Sequence, residues 1–418
     1  MDYNKIVQGI LDIGEAMLQS GAENFRLEDS FYRMCRSYGF KRSDVFVIPS
    51  NIQVTVETPE GEIITQIRHI ESSEPNFDQL DYLNNLCRYV CQNTPDEKEK
   101  YLEVINREPQ KRITRYAAGI MGGTGFAVFF GCNVRDAIVA LIVSVMIVAV
   151  GDWLAKRESN LMVYNAILSF ISEVIIIVAL KMGVADHPDR IMIGIVMLLI
   201  SGLGTTNGIR DLLQRDFISG FINIMNSFLG AAGIAFGIGL AIMLFHEGYS
   251  DHFILNHSVP IQLISCTVAC TGFAFWFKIR GKQVWYNSIG AFFTWAIYVV
   301  VFALKPSNFL ATMIAAVFVA FYAFIMSRVN KAPSTIFLTA SVFPLIPGPN
   351  LYYVMYGCVS QDPQLAFDET IVLMATCLAI AFGFIIVDVA SRSIMYALKR
   401  EYHIGKSALN LPLIGGKK

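Results

Sequence analysis

Two interruptions, Ser201-Gly202 and Pro347-Gly348, stand 146 residues apart inside apolar segments, and the same offset carries Asp216 onto Asp362 and Ile234-Ala-Phe-Gly237 onto Ile380-Ala-Phe-Gly383. A further match, at an offset of 147, pairs Thr124-Gly-Phe-Ala127 with Thr271-Gly-Phe-Ala274. A repeat of this period constrains the fold before any local reading does. The apolar part of the chain therefore reads as two copies of one unit, each broken by Gly or Pro at the corresponding place. In secondary transporters such paired interrupted helices point to the substrate site.

The 418 residues are 54% hydrophobic and only 16% charged, with a mean hydropathy of +0.49. That is too apolar for an ordinary soluble chain and describes a polytopic α-helical membrane protein whose first partner is the lipid bilayer. A net charge of −1 offers no field for nucleic acid. The opening residues, Met1 to Lys5, lack the apolar core of a cleavable signal, so the N-terminus is expected in the cytoplasm. Among eight cysteines, Cys87/Cys91 and Cys266/Cys270 are four apart, on one helix face each, which suits core packing better than a disulfide framework.

Residues 1–112 read as a cytoplasmic α+β domain. Ile6, Ile10, Ile13, Met17 and Leu18 recur at helical spacing up to Gly21, and a second helix runs over 24–38 to Gly39. Strands follow at 45–48, 52–58 and 62–68, then helices at 77–92 and 95–107. A basic collar of Lys111, Arg112 and Arg115 opens the membrane part.

About ten apolar runs are long enough to span a bilayer: 116–132, 135–151, 160–181, 190–206, 217–245, 259–277, 283–304, 308–327, 334–357 and 366–395. They divide into two five-helix repeats, 113–247 and 258–398, with a tail at 399–418. Lys156, Arg157, Arg210, Arg215, Lys278, Arg280, Lys282, Arg328 and Lys331 fall in alternate loops, which places those loops and both termini in the cytoplasm. An odd number of spans per repeat makes the two copies inverted. Inverted halves that exchange conformations are the basis of alternating access. A channel is the competing reading.

The stretches Gly14-Glu-Ala-Met-Leu-Gln-Ser-Gly-Ala-Glu-Asn-Phe-Arg-Leu-Glu-Asp29, Thr206-Asn-Gly-Ile-Arg-Asp-Leu-Leu-Gln-Arg-Asp-Phe-Ile-Ser-Gly220, Pro333-Ser-Thr-Ile-Phe-Leu338 and Phe343-Pro-Leu-Ile-Pro-Gly348 resemble the threonine/serine exporter family. The resemblance covers nearly the whole chain. It implies a fused form of an architecture that other members split over two polypeptides, a small amino-acid substrate, no cofactor and no enzymatic activity. The direction of transport, outward, comes with the resemblance alone. Where the second repeat has Pro347-Gly348 the first has Ser201-Gly202, which predicts a softer first break.

A broken helix exposes backbone N–H groups at one half-helix start and carbonyls at the other half-helix end, which suits an amino acid's carboxylate and ammonium. Ser201, Gly202, Gly204, Thr205, Thr206 and Asn207, with Pro347, Gly348 and Asn350, are the expected substrate-binding set. Close helix packing explains the small residues as an alternative. Arg210, Asp211 and Asp216 could gate the inner mouth by exchanging ion pairs, or be loop charges and helix caps. Asn223 and Asn226 could line the pathway, or bond between helices.

Two carboxylates fall within spans. Glu173 is the better candidate for proton coupling, since an intramembrane carboxylate costs at least ~2.5 kcal/mol on insertion scales; the plain alternative bonds it to Asn165 or Ser169. Asp388 ranks below it, one turn from Arg392. His246, Glu247, Asp251, His252 and His257 share one loop, but their spacing matches no zinc pattern, so no metal is expected. Three further readings stand beside the proton-coupled exporter: a carrier of dicarboxylates such as succinate, a metabolite-gated channel, and a sensor. Self-association into a homo-oligomer is left open.

Overall fold

The computed structural model describes residues 2–71, 73–95, 104–200, 202–213, 215–245 and 258–409. The N-terminal part runs α1 (Tyr3–Gln19), α2 (Asn24–Ser37), β1 (Arg42–Ile48), β2 (Asn51–Glu57), β3 (Ile63–His69) and α3 (Phe77–Asn93). Gly21 and Gly39 follow the first two helices with φ of +88° and +80°, the left-handed backbone that glycine adopts without a Cβ penalty. The strands form one antiparallel sheet in the order β1-β2-β3, with Val45 opposite Val54 and Val54 opposite Gln66. Alternation along β2 buries Ile52, Val54 and Val56 in one core with Ile6, Ile10 and Ile13 of α1, Phe31 of α2 and Leu83 of α3. The helix expected over 95–107 needs correction: residues 104–107 are not helical, and 96–103 lie outside the described residues. Gln79 holds this stretch from the side, accepting from Arg107 N–H at 2.8 Å and donating to the Ile105 carbonyl at 3.2 Å, which favours an extended path.

Helices follow as α4 (Arg112–Phe129), α5 (Val134–Leu154), α6 (Leu161–Lys181), α7 (Pro188–Leu199), α8 (Gly202–Leu213), α9 (Phe217–Phe245), α10 (Val259–Trp276), α11 (Lys282–Leu304), α12 (Asn308–Asn330), α13 (Ser334–Val342), α14 (Gly348–Val359) and α15 (Pro363–Leu409). Among the described residues seven helical stretches are long and apolar enough to cross a membrane, α5, α6, α9, α10, α11, α12 and residues Pro363–Ser391 of α15, and α4, over the expected span 116–132, is not one of them. The expected spans 190–206 and 334–357 are each two short helices, and the last helix continues well past residue 395.

Contacts recur between the two halves at the offsets seen in the sequence. At the α4–α10 crossing a Cβ on Gly125 would meet Ala269, and one on Gly272 would meet Gly122. Each residue pair is the other moved by 147. Gly237 of α9 lies against Ala166 and Phe170 of α6, as Gly383 of α15 lies against Met313 and Val317 of α12. Small residues at these crossings let the backbones approach closely. Caps recur too: Asp216 Oδ1 accepts from Ser219 N–H at 3.3 Å at the start of α9, and Asp362 Oδ1 from Leu365 N–H at 3.0 Å at the start of α15.

The N-terminal domain docks on the helices through backbone as well as side chains. Phe77 N–H donates to the Phe277 carbonyl at 3.1 Å, with the two rings 5.8 Å apart. Gln110 donates to the Phe275 carbonyl at 2.7 Å, and Lys278 pairs with Glu74 at 3.2 Å.

Candidate functional site

Helix α7 stops at Leu199 because Ile200 turns to extended backbone (φ −72°, ψ 134°), and α8 begins two residues later at Gly202. In the second half α13 tightens into a 3-10 turn over Phe343–Leu345, Ile346 is extended (φ −67°, ψ 126°), and α14 begins at Gly348 after Pro347. Proline supplies the stop, since it lacks an N–H and restricts the residue before it. Both halves are therefore interrupted: α7 ends at Leu199 and α8 begins at Gly202, and the 3-10 turn ends at Leu345 and α14 begins at Gly348. The two breaks meet: Gly348 is packed on Met197 of α7, so close that a Cβ there would overlap its sulfur.

Aromatic rings line one side of this meeting point. Phe343 stacks on Phe273 at 4.0 Å, and Phe126 stands edge-on to Phe273 at 5.6 Å. Tyr352 of α14 is buried and stacks with Tyr356. Polar contacts tie each half-helix after a break to the long helix that follows. Asn350 donates to Glu369 Oε2 of α15 at 2.7 Å. In the first half Asn223 of α9 donates to Asp211 Oδ2 of α8 at 3.1 Å.

Ser201 lies outside the described residues, as do the side chains of Thr205, Thr206 and Arg210. Gly204 and Asn207 are half-buried on α8, and Asn226 is exposed on α9. Asp216 caps α9, the alternative weighed for it above, and its charge reaches the N-terminal domain at Glu28. Glu173 is fully buried in α6. The two residues considered as its partners donate elsewhere: Asn165 to the Gly230 carbonyl and Ser169 to the Ile234 carbonyl, both at 3.1 Å. Asp388 borders a cleft shared with the N-terminal domain, and the side chain of Arg392 lies outside the described residues. His246, Glu247, Asp251, His252 and His257 also lie outside them.

Sequence reasoning missed Glu369. One signal could have found it, because the offset of 146 places it on Asn223, already a candidate. It also missed a junction at which three motifs converge. Asn24 donates to Ser219 at 2.8 Å, Thr335 donates to Glu23 at 3.2 Å, and Arg26 bonds both Glu23 and Ser334. Nothing in the spacing of these residues along the chain announces their contact.

A family profile described as "Putative threonine/serine exporter" matches residues 8–245, and one described as "Threonine/Serine exporter, ThrE" matches residues 262–390. The chain is 22% identical over 399 residues to a protein of Corynebacterium glutamicum named "Threonine/serine exporter", covering 90% of this chain and 80% of that one. It is 20% identical over 424 residues to a "Probable threonine/serine exporter" of Mycobacterium tuberculosis, covering 95% of this chain and 78% of that one. No solved structure matches.

Proposed function

The chain belongs to the threonine/serine exporter family, and from that membership we propose that it is a secondary transporter carrying threonine and serine out across the cell membrane. The observation that carries the reading is the meeting of the two helix breaks at Met197 and Gly348. There the N–H groups that open α8, with the Asn350 N–H of α14, serve the substrate carboxylate, since Gly348 N–H is held by the Ile346 carbonyl at 2.8 Å and Pro349 has none, and the carbonyls that close α7 and the 3-10 turn serve its ammonium. Glu369, bonded to Asn350 two residues past Gly348, favours a zwitterion over a dicarboxylate, which would bring two negative charges toward a third.

The recurrence of contacts at offsets of 146 and 147 supports two inverted five-helix repeats that alternate access by exchanging conformations. Both termini then face the cytoplasm, a reading that the placement of Lys and Arg supports. Glu173 is the group proposed to carry the coupling proton. The reading involves no cofactor and no enzymatic step.

Counterflow tests it. Proteoliposomes preloaded with unlabelled serine, threonine or succinate should accumulate labelled threonine when loaded with either amino acid and not with succinate. Flux supported by succinate alone would refute the substrate assignment and leave the fold untouched.

A further inference from the structure

We propose that the N-terminal domain is a latch across the cytoplasmic ends of the two broken-helix units, and that its bond from Asn24 to Ser219 opens and closes in each transport cycle. The inference rests on the alternating-access reading above and adds the element that governs it.

The start of α2 sets the place. Asn24, its first residue, donates to Ser219 Oγ at 2.8 Å in the first turn of α9, where Ser219 is fully buried. Glu23, just before it, accepts from Thr335 Oγ1 at 3.2 Å, and Arg26 bonds Ser334; these two residues open α13. Helix α13 leads into the Pro347-Gly348 break, and α9 follows α8, the half-helix that begins at the Ser201-Gly202 break. The backbones of α8 and α9 touch: a Cβ on Gly208 would meet the Gly220 carbonyl oxygen, and one on Gly220 the Gly208 carbonyl oxygen. A hold on Ser219 is thus a hold on α8. One turn of α2 therefore ties together the two units whose breaks meet at Met197 and Gly348.

The two grips are unequal, which decides the side that lets go. On the second half the domain is held by backbone and by charge: Phe77 N–H on the Phe277 carbonyl, Lys278 with Glu74, Arg280 with Asp78 at 3.5 Å, and Gln283 donating to Asp81 Oδ2 at 3.2 Å. On the first half the Asn24–Ser219 bond joins neutral groups, and beside it Asp216 acts on Glu28 as a like charge. Charge-assisted bonds are the stronger kind, and like charges weaken the contact they flank. Halves that exchange conformations cannot both keep a rigid crossbar. The domain therefore rides with the second half and parts from the first at Ser219, a movement permitted by the non-helical stretch 104–111 that links it to α4.

The inverted first half shows what such a half-helix needs. Helix α7, the counterpart of α13 at the offset of 146, is tied at its start from within its own half: Asp136 of α5 accepts from His187 N–H at 3.1 Å, and its Oδ2 lies 2.9 Å from His187 Nδ1. In the second half Pro333-Ser334-Thr335 replaces His187-Pro188-Asp189. That end of α13 takes its tie from the N-terminal domain instead.

Two measurements on the full-length protein test the latch, one of which needs no substrate. With Cys91 and Cys358 changed to serine, Asn24→Cys/Ser219→Cys is bridged by a short bis-methanethiosulfonate, and threonine counterflow is compared before and after reduction. Glu74→Cys/Lys278→Cys, bridged alike, is the control within the second half. The first bridge should lower counterflow at least tenfold, with recovery on reduction, and the second should leave it within twofold. Counterflow that survives the first bridge, or is lost with both, overturns the proposal. In nanodiscs, electron–electron resonance between spin labels at Arg36→Cys and Leu213→Cys should give two distances, the longer at least threefold more populated in Asn24→Ala, whereas Arg36→Cys with Lys331→Cys should give one. A single 36–213 distance unmoved by Asn24→Ala overturns the latch whatever the protein carries. Absence of threonine counterflow in the unbridged protein refutes the substrate assignment, and the distances then decide the latch alone.

Discussion

Gly348, the first residue of α14, is packed directly on the sulfur of Met197 near the end of α7, so the second helix break is seated on the first. Any β-carbon at 348 must displace a methionine that is only 1% exposed. Overpacking of this kind costs about 1–3 kcal/mol. Gly348→Ala should therefore reduce threonine counterflow several-fold while the protein still folds, and Met197→Ala in the same chain should restore much of it, because the clash is with a flexible side chain. Wild-type counterflow in Gly348→Ala would separate the break from transport.

The α4–α10 crossing is less forgiving. A Cβ on Gly272 would meet the backbone nitrogen of Gly122, and no rotamer change relieves that. Gly272→Val should lower the yield of monodisperse protein and the melting temperature in detergent far more than Gly348→Ala does. Equal melting temperatures for the two variants would show the crossing to be looser than described.

Glu369 should matter to substrate affinity. It accepts from Asn350 beside the second break, and the amide in Glu369→Gln keeps an acceptor while removing the charge. The threonine Kd is expected to rise about tenfold, equivalent to ~1.4 kcal/mol. The measurement is substrate protection against thermal unfolding, and an unchanged Kd would remove Glu369 from the site.

For Glu173 the two functions of a carrier should come apart. Glu173→Gln is expected to keep threonine–serine exchange and to lose accumulation driven by an imposed pH gradient. Retention of gradient-driven accumulation would move proton coupling to another group.

At the domain junction the sign of a pH effect can be worked out. Burial pushes the Glu28 carboxyl above its ordinary 4.5; the Val47 N–H that it accepts lowers it, and the charge of Asp216 adds to the rise. A carboxyl with a folded pKa above its unfolded one binds its proton more tightly when folded. Its contribution to stability is greatest in acid and is lost as pH rises from about 4.5 through the folded pKa. Glu28→Gln should raise the melting temperature near neutral pH and change it little near pH 4, which a thermal scan across pH would check; a lower melting temperature at neutral pH would show that the carboxylate is favoured there.

Much of this architecture was legible because local chemistry dictated it. Ile52, Val54 and Val56 alternate along β2, Gly21 and Gly39 end helices, and Pro347 cannot continue one. The repeat offset also made the position of both breaks readable. The expected helix over 95–107 failed where a tertiary contact won, with Gln79 holding 105 and 107 through their backbone. Of the candidate site, single residues such as Asn223 and Asn350 were readable as polar groups inside apolar runs. Their partners were not: pairing Asn350 with Glu369, or Asn24 with Ser219, depends on how helices cross, and periodicity carries no information about that.

The last helix has a mechanical consequence. At 47 residues and ~1.5 Å of rise per residue, α15 is roughly 70 Å long, over twice the ~30 Å of a bilayer core. A rod of that length pivoting within the membrane behaves as a pointer on a dial. A tilt of a few degrees at one end, too small to resolve by itself, sweeps the other end through several ångströms.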